Sequence, residues 1–390
     1  MDRPRYDGSV SESPACDVIT SIELRLVALP LRAPTSDAKV VMGRQKPLTE
    51  VAVLIARIAT EEGYEGIGFS YSKRAGGEGL FAHACEVAPE LLGADPSDIG
   101  RLWHKLVWAG ASVGRSGVAT QAIAAFDVAL WDIKGKRARL PLAKLLGAHR
   151  DSVRCYDTSA GFLSTPLQGI LDGAAELVEG GIGGLKIKIG QPDFAADLER
   201  LEALRELVGD DFPIMVDVNQ QWSRLTARRF GSMLERFNLV WIEEPLDAYD
   251  VEGHAALVVA LDTPIATGEM LTSALEHSRV IEASAAVVLQ PDAPRVGGIT
   301  PFLGIAAEAD HHDLVLSPHF AMEIHLHLAA AYPGETWVEH FDWLHPLFHE
   351  RATIRDGRML LPTAPGLGVT LTDDVHELTV QVCSFGARPS

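Results

Sequence analysis

Three acidic residues recur at an equal spacing of 26 residues, from 217 to 243 and from 243 to 269, each just behind a short apolar run. They are Asp217, Glu243 and Glu269. In a barrel of parallel strands, the C-terminal strand ends meet at one mouth, where the active site lies. Clustered carboxylates repel one another unless a cation lies among them, and ligation by oxygen alone favours a hard ion. The spacing therefore predicts a Mg²⁺ site at this mouth.

Two lysines share one face of the apolar run 185–189. Side chains alternate along a strand, so Lys186 and Lys188 point one way and their apolar neighbours point the other. Burying an ammonium group costs several kcal/mol unless an anion pairs with it, which places carboxylates or an anionic ligand opposite the lysines. We expect the metal and Lys186 to disfavour a second positive charge, and so to lower the pKa of Lys188 to that of a usable base.

The same period continues with Asp292, His319 and Glu339, each beyond a later apolar run. On neighbouring strands, Asp292 can accept the Nδ1 proton of His319, which fixes the tautomer of the ring and raises its basicity. Asn219 lies on the same strand face as Asp217 and could donate to substrate oxygens. These residues complete the predicted mouth of the barrel.

Lys188 and His319 then face each other across the metal, one from the second strand and one from the seventh. Two bases in this arrangement suit removal of a weakly acidic proton next to a carboxylate. The metal and Lys186 would stabilise the enediolate that forms. The residues alone therefore predict proton abstraction from a small carboxylic acid.

The elements that must position these residues are eight short apolar runs separated by helical stretches. Such alternation is typical of a parallel α/β barrel of the (β/α)₈, TIM-like kind. The predicted strands end at 153–156, 185–189, 214–218, 239–242, 265–267, 287–289, 314–316 and 337–338. Strands at 19–31, 51–58 and 64–70 followed by helices over 80–146 predict a separate α+β unit. We divide the chain into a polar tail (1–17), an α+β domain (18–147), the barrel (148–350) and a C-terminal segment (351–390) that returns to the first domain.

Composition limits the partners. The 390 residues carry a formal charge of −19, which argues against a nucleic-acid or anionic-membrane surface. The four cysteines are scattered and predict no disulfide framework, which fits a reducing cytoplasm. We see no export signal and no run long enough to span a membrane.

Together, these residues resemble the mandelate racemase group of the enolase superfamily, from about residue 19 to residue 382. The likeness lies in Lys186-Ile187-Lys188, the three carboxylates, the pair Asp292 and His319, and Glu339. The resemblance implies that Lys188 and His319 serve the two configurations at the α-carbon, and that Glu339 bonds the substrate carboxylate. It also implies that the α+β unit is a capping domain over the (β/α)₇β barrel.

Within that group, the stretches 68–77, 108–117 and 319–328 resemble dehydratases of six-carbon diacid sugars. The resemblance implies a second carboxylate far from the metal, for which Arg44, Lys46, Lys73 and Arg74 are the candidate partners. The hypothesis is a Mg²⁺-dependent, cytoplasmic, homo-oligomeric hydro-lyase acting on an aldarate, galactarate or L-talarate, with some epimerisation.

Three alternatives stay open. Another acid-sugar dehydratase or a racemase would share the metal and the bases. A Schiff-base aldolase would also use a barrel lysine, although the carboxylate cluster argues against it. A sugar-acid binding protein without activity would have no use for bases on both sides of the metal.

Overall fold

The computed structural model describes residues 17–386, so the predicted polar tail lies outside the described residues except for Asp17. The strands are β1 (Ile19–Thr35), β2 (Leu48–Thr60), β3 (Glu65–Lys73), β4 (Ser152–Asp157), β5 (Leu185–Lys188), β6 (Ile214–Asp217), β7 (Ile242–Glu243), β8 (Ile265–Thr267), β9 (Val288–Leu289), β10 (Val315–Leu316), β11 (Trp337–His340), β12 (Ile354–Arg355), β13 (Arg358–Leu360) and β14 (Thr379–Gly386). The helices are α1 (Ala38–Val41), α2 (Gly77–Val87), α3 (Ile99–Ala109), α4 (Val118–Ala138), α5 (Leu142–Leu145), α6 (Leu167–Glu179), α7 (Phe194–Val208), α8 (Arg224–Leu234), α9 (Val251–Ala260), α10 (Ala274–Glu282), α11 (Ala293–Val296), α12 (Ile299–His311), α13 (Met322–Ala331) and α14 (Asp374–Leu378).

The capping domain is an antiparallel sheet in the order β14-β1-β2-β3, with α2, α3 and α4 packed against it. Strand β1 continues past Pro30, where the sequence predicts its end, to Thr35. Pairing of β1 with β14 stops at Val27, so Pro30 and Pro34 lie where β1 has a neighbouring strand on one side only. The missing N–H of a proline removes little hydrogen bonding at such an edge. Strand β3 likewise runs to Lys73, through residues that the sequence predicts as a loop.

All eight predicted barrel strands are present, from β4 to β11. Neighbouring strands pair in parallel from β4 through β10, and β11 pairs with β4. A parallel bridge between Leu316 and Thr336 brings β10 next to β11, which closes the barrel. The fold class predicted from the sequence, a (β/α)₇β barrel with an α+β capping domain, is confirmed.

The C-terminal segment divides between the two domains. The hairpin β12–β13 stays on the barrel, where Arg358 of β13 lies opposite Arg154 of β4. Only β14 returns to the capping domain, where Phe385 lies opposite Ile22 of β1. Within this segment, the last strand therefore lies in the capping sheet and the hairpin lies on the barrel.

Two cysteines that the sequence leaves unpaired come together in this return. Cys383 of β14 forms a disulfide with Cys85 of α2, although 298 residues separate them in the chain. The expectation of unpaired cysteines is wrong for this pair, because β14 is delivered to the capping sheet by tertiary pairing that spacing does not reveal. Cys155 is free and buried, and Cys16 lies outside the described residues.

The capping domain is attached to the barrel beside its mouth. Asp127 of α4 accepts hydrogen bonds from the amide and the hydroxyl of Thr300, at 2.9 and 2.5 Å, at the start of α12. Trp131 Nε1 donates to the same hydroxyl at 3.0 Å, and Trp103 Nε1 donates to the carbonyl of Gly297 at 2.8 Å. These contacts hold the end of β3 over the barrel mouth. Within residues 17–386, no helix is both long and apolar enough for a membrane crossing.

Candidate active site

A cavity of about 230 Å³ lies between the barrel mouth and the capping domain. It is lined by residues of both domains, among them Lys39, Tyr71, Lys73, Arg74, Gln121, Lys186, Lys188, Asn219, Glu269, Arg295, His319, Glu339 and Trp343. Cations outnumber acids in this lining, although the whole chain is strongly acidic. The cavity therefore suits a small anion.

The three evenly spaced carboxylates meet at this mouth. Asp217 and Glu243 are the last residues of β6 and β7, and Glu269 follows β8 by two residues. One carboxylate oxygen from each lies within 4.8 Å of the others, and all three residues are buried. Burial raises the pKa of Glu243 to about 8. Lys186 opposes this rise, and the nearby charges of Asp217 and Glu269 add to it.

This donor set fits a hard divalent cation. The three carboxylates offer oxygen ligands alone, from three adjacent strands, within the span of one ion. Buried carboxylates this close together repel one another, and a bound cation would relieve that repulsion. Asp217, Glu243 and Glu269 could therefore hold Mg²⁺.

The two lysines of β5 pair with different acids. Lys186 Nζ lies 2.8 Å from Glu243 Oε1 and 2.9 Å from Glu339 Oε1, and this side chain is almost fully buried. Lys188 Nζ forms an ion pair with Asp217 Oδ2. Burial opposes the charge on Lys188, but Asp217 outweighs it and raises the pKa above its usual value. The lowering of this pKa that the sequence predicts depends on a bound cation, which would compete with the ammonium of Lys188 for Asp217.

His319 lies at the other end of the acidic cluster. Its Nε2 is 3.3 Å from Glu269 Oε2, and its Nδ1 is 2.8 Å from Asp292 Oδ2. Asp292 is itself held by the amide of Arg295, which donates to Oδ1 at 3.2 Å. Burial lowers the pKa of His319, which favours a neutral ring able to accept a proton. The structure thus brings together the predicted pair and sets it opposite Lys188 across the carboxylates.

Glu339, at the mouth end of β11, is an acceptor at both oxygens. Thr158 donates its hydroxyl to Oε1 at 2.6 Å, and the amide of Phe320 donates to Oε2 at 2.9 Å. Burial would raise the pKa of Glu339, but Lys186 lowers it to about 2. An ionised Glu339 cannot donate, so the expected hydrogen bond to a substrate carboxylate would require a proton that this environment disfavours.

Asn219 adopts a left-handed backbone conformation just after β6, with φ 49°. Its amide N–H donates to Asp217 Oδ1 at 2.7 Å, and its Nδ2 donates to Oδ2 at 2.9 Å. Its buried Oδ1 has no hydrogen-bond partner among residues 17–386. Asn219 therefore orients Asp217 and keeps its Oδ1 acceptor, together with the second N–H of Nδ2, for a ligand.

The four predicted cations of the capping domain separate into two pairs. Lys73 lines the cavity with its Nζ 3.3 Å from His319 Nε2, and Arg74 lines it while bonding Asp37 at 3.0 Å. The Arg44 side chain is exposed and donates to the carbonyl of Gln220 at 3.5 Å, and Lys46 is also exposed. Neither of these two side chains lines the cavity, although Gln45, which lies between them, does.

Sequence reasoning missed Tyr71 and Arg295. The Tyr71 hydroxyl bonds Asp292 Oδ2 and lies 3.2 Å from His319 Nδ1, and Arg295 Nε lies 4.0 Å from Asp292 Oδ2. A signal for Tyr71 existed: once β3 extends to Lys73, alternation places Tyr71 and Lys73 on one face. For Arg295, on the short helix α11, no periodic signal exists.

Comparison with known proteins agrees with this geometry. Residues 22–147 match the family model for the N-terminal domain of mandelate racemase and muconate lactonizing enzyme, and residues 170–375 match the enolase C-terminal domain-like model. The chain is 62% identical over 373 residues to L-talarate/galactarate dehydratase of Salmonella typhimurium, an alignment that covers 96% of this chain and 94% of that protein.

Two solved structures are similarly close. A crystal structure of L-talarate/galactarate dehydratase from Salmonella typhimurium LT2, liganded with Mg and L-lyxarohydroxamate, superposes with a TM-score of 0.96 at 59% identity, covering 100% of this chain and 98% of that one. L-Talarate dehydratase from Polaromonas sp. JS666, complexed with Mg and L-glucarate, superposes with a TM-score of 0.93 at 64% identity, covering 95% and 100%. The chain therefore belongs to the mandelate racemase and muconate lactonizing enzyme family of the enolase superfamily.

Proposed function

We propose that this protein is a Mg²⁺-dependent acid-sugar dehydratase, a hydro-lyase that acts on galactarate, L-talarate or both. The observation that carries the proposal is the placement of two bases at opposite ends of one carboxylate cluster, Lys188 at Asp217 and His319 at Glu269. The relatives support the substrate class, since those described above are named for the dehydration of L-talarate or galactarate.

Asp217, Glu243 and Glu269 would hold the cation. Bound there, Mg²⁺ would neutralise a substrate carboxylate and make the adjacent C–H more acidic. Lys186 adds a fixed positive charge beside the same acids, where negative charge develops as the proton leaves. Asn219 keeps Asp217 in its orientation through two hydrogen bonds.

Lys188 Nζ or His319 Nε2 takes the proton from the α-carbon, depending on the configuration there. The C–H electron pair moves toward the carboxylate, and then returns as the bond to the β-hydroxyl breaks. His319, as the imidazolium, supplies the proton that lets this hydroxyl leave as water. It gives up the proton that it has just taken from the α-carbon or, where Lys188 is the base, one that it has taken up from solvent beforehand. Tautomerisation of the resulting enol yields a keto-deoxy diacid, and return of a proton from the opposite base would epimerise the substrate.

Asp292 orients His319 for this work. With Nδ1–H bonded to Asp292 Oδ2, the proton-accepting nitrogen is Nε2, which faces the acidic cluster. Glu339 holds Lys186 on one side and the amide of Phe320, next to His319, on the other. We therefore propose that Glu339 fixes the position of Lys186 relative to His319.

The distal carboxylate of a diacid would meet cations that line the cavity from the capping side. Lys73 is the best placed, since its Nζ has His319 Nε2 and three aromatic rings nearby but no carboxylate partner within salt-bridge distance among the described residues. Arg74 and Arg295 lie in the same lining, and each is already near an aspartate. We therefore propose Lys73 as the main contact and retain Arg74 as a secondary one.

The test is a panel of acid sugars incubated with the purified protein and Mg²⁺, assayed for keto-acid formation. We expect product from galactarate or L-talarate, and none after chelation. A racemase without dehydratase activity would exchange the α-proton with solvent deuterium and form no keto acid. A binding protein would do neither, and borohydride trapping of a lysine adduct would instead favour an aldolase.

A cytoplasmic location and a homo-oligomer belong to the same proposal. In a reducing cytoplasm Cys85 and Cys383 would be thiols, which alkylation of rapidly quenched cells followed by mass spectrometry would reveal. Trp108 and Val113 of the capping domain are 64% and 67% exposed, as expected of a surface that another copy covers. Light scattering after gel filtration would give the number of copies.

A further inference from the structure

The pair of Asp292 and His319 has a third member from the other domain. Tyr71 belongs to β3 of the capping domain, and its side chain is 1% exposed. Its hydroxyl crosses the boundary to bond Asp292 Oδ2 and lies 3.2 Å from His319 Nδ1. The domain that covers the barrel mouth therefore contributes a contact to the catalytic pair.

The hydroxyl must be the donor in this contact. Burial and the charge of Asp292 raise the pKa of Tyr71 well above its usual value, so the phenol stays protonated. Asp292 then accepts from three directions: Tyr71 and His319 Nδ1 at Oδ2, and the amide of Arg295 at Oδ1. A carboxylate held at both oxygens cannot rotate, so the imidazole that bonds it is held in one orientation.

The ring of Tyr71 contributes separately from its hydroxyl. It packs edge-on against Phe320, with ring centroids 4.7 Å apart, and Phe320 is the residue after His319. Removal of the hydroxyl alone would leave this packing in place. Tyr71→Phe therefore isolates the hydrogen bond to Asp292 from the structural role of the ring.

We propose that Tyr71 is a positioning residue for His319, and that it supports proton transfer by His319 and not by Lys188. The difference follows from distance along the cluster, since Lys188 bonds Asp217 at the opposite end. The expected effect on catalysis rests on the function proposed above. The expected effect on the orientation of the His319 ring does not depend on that function.

The kinetic experiment follows α-proton exchange of galactarate and of L-talarate in D₂O by NMR, together with keto-acid formation. The exchange that depends on His319 is the exchange that disappears in His319→Asn. We expect this exchange to be about tenfold slower, or slower still, in Tyr71→Phe, because removing a hydrogen-bond partner of a residue in the site typically causes losses of that size. The exchange lost in Lys188→Ala should stay within about twofold. Equal falls in both exchanges, or no fall in either, would overturn the proposal.

Tyr64→Phe is the matched control. Tyr64 precedes β3 at the end of the strand opposite Tyr71 and Lys73, and it does not line the cavity. Wild-type rates are expected for this variant on both substrates. Thermal unfolding of both variants would verify that each is folded at the assay temperature.

A second measurement needs no substrate. The Nδ1 proton of His319, held by Asp292, should give a low-field proton NMR signal that is absent from His319→Asn. In Tyr71→Phe its exchange with water should quicken markedly, while Tyr64→Phe leaves it unchanged. An unaltered signal in Tyr71→Phe contradicts the positioning role even if the substrate proves to be different, whereas an inactive wild type contradicts only the proposed function.

Discussion

At the level of single residues, the pKa values of the two proposed bases are shifted in opposite directions. Lys188 bonds Asp217, and its pKa is raised, whereas burial lowers the pKa of His319. A cation bound by Asp217 would compete with the ammonium for the same oxygen, which frees the lysine to lose its proton. The two bases would therefore act on opposite faces of a substrate bound between them.

Replacing one base should affect the two epimers unequally. We expect Lys188→Ala to reduce α-proton exchange of one epimer about 10²–10⁴-fold, the usual contribution of a positioned base, while the other epimer still exchanges through His319. His319→Asn should show the opposite preference and should also block dehydration of both. The measurement is deuterium incorporation, followed for each epimer separately. Equal losses for both epimers in either variant would contradict the two-base arrangement.

Lys73 should distinguish diacids from monoacids. Loss of a charge-assisted hydrogen bond costs about 1.5–3 kcal/mol, so Lys73→Met should lower kcat/KM for galactarate about 10–100-fold. The loss should be smaller for galactonate, which lacks the distal carboxylate. Arg44→Met is the control, because Arg44 is exposed and does not line the cavity. A similar loss for both substrates would mean that Lys73 acts through His319 instead.

At the scale of elements, helix α12 of the barrel is capped by a side chain from α4 of the capping domain. Asp127 accepts the amide and hydroxyl of Thr300, and it also carries a negative charge near the positive end of the helix dipole. Burial opposes this charge and raises the pKa of Asp127 to about 7. The attachment of the two domains is thus coupled to a proton.

This coupling predicts a pH dependence of stability. The pKa of Asp127 is about 7 in the folded protein and about 3.9 when unfolded, so its contribution is fully present below about pH 4 and is lost as pH rises through 7. Between those limits the folded state binds more protons than the unfolded state. We expect wild type to lose stability relative to Asp127→Asn by on the order of 1 kcal/mol per pH unit. Urea unfolding of both proteins at pH 5, 6 and 7 would measure this, and a constant difference would contradict it.

At the scale of the whole molecule, barrel closure gathers charges that the chain keeps far apart. The protein carries a net charge of −19, yet the mouth combines three buried carboxylates with several lysines and arginines. The carboxylates come from three adjacent strands, so their mutual repulsion acts against the closed barrel. A cation bound among them would stabilise the folded state as a whole.

Mg²⁺ should therefore raise the thermal midpoint of the protein. Saturating ion at about 100 times its dissociation constant contributes about 2.7 kcal/mol, which corresponds to a shift of a few degrees. Excess EDTA should reverse the shift and abolish turnover. Glu269→Gln should remain folded and should lose most of the shift, which differential scanning fluorimetry would detect. A wild-type midpoint independent of Mg²⁺ would argue against a metal at this site.

Much of this arrangement can be predicted from residue order because a barrel repeats. Asp217, Glu243 and Glu269 recur every 26 residues, each at the end of a strand or two residues beyond it, so a periodic fold converts their spacing along the chain into proximity. The same logic placed Asp292 beside His319. What it could not provide was the charge state of Lys188, which depends on which acid its flexible side chain reaches.

Residue order along the chain was sufficient to predict the barrel, the acidic cluster and the placement of Lys188 and His319 at the mouth, because each depends on a local apolar run with ionisable residues at or behind it. Folding was needed to bring Tyr71 and Lys73 to His319, to leave Arg44 and Lys46 outside the cavity lining, and to pair Cys85 with Cys383. These contacts join elements roughly 250 to 300 residues apart or depend on how one domain lies on another. Contacts over such sequence separations follow no periodic pattern along the chain. They depend on how the folded elements pack, which residue spacing does not reveal.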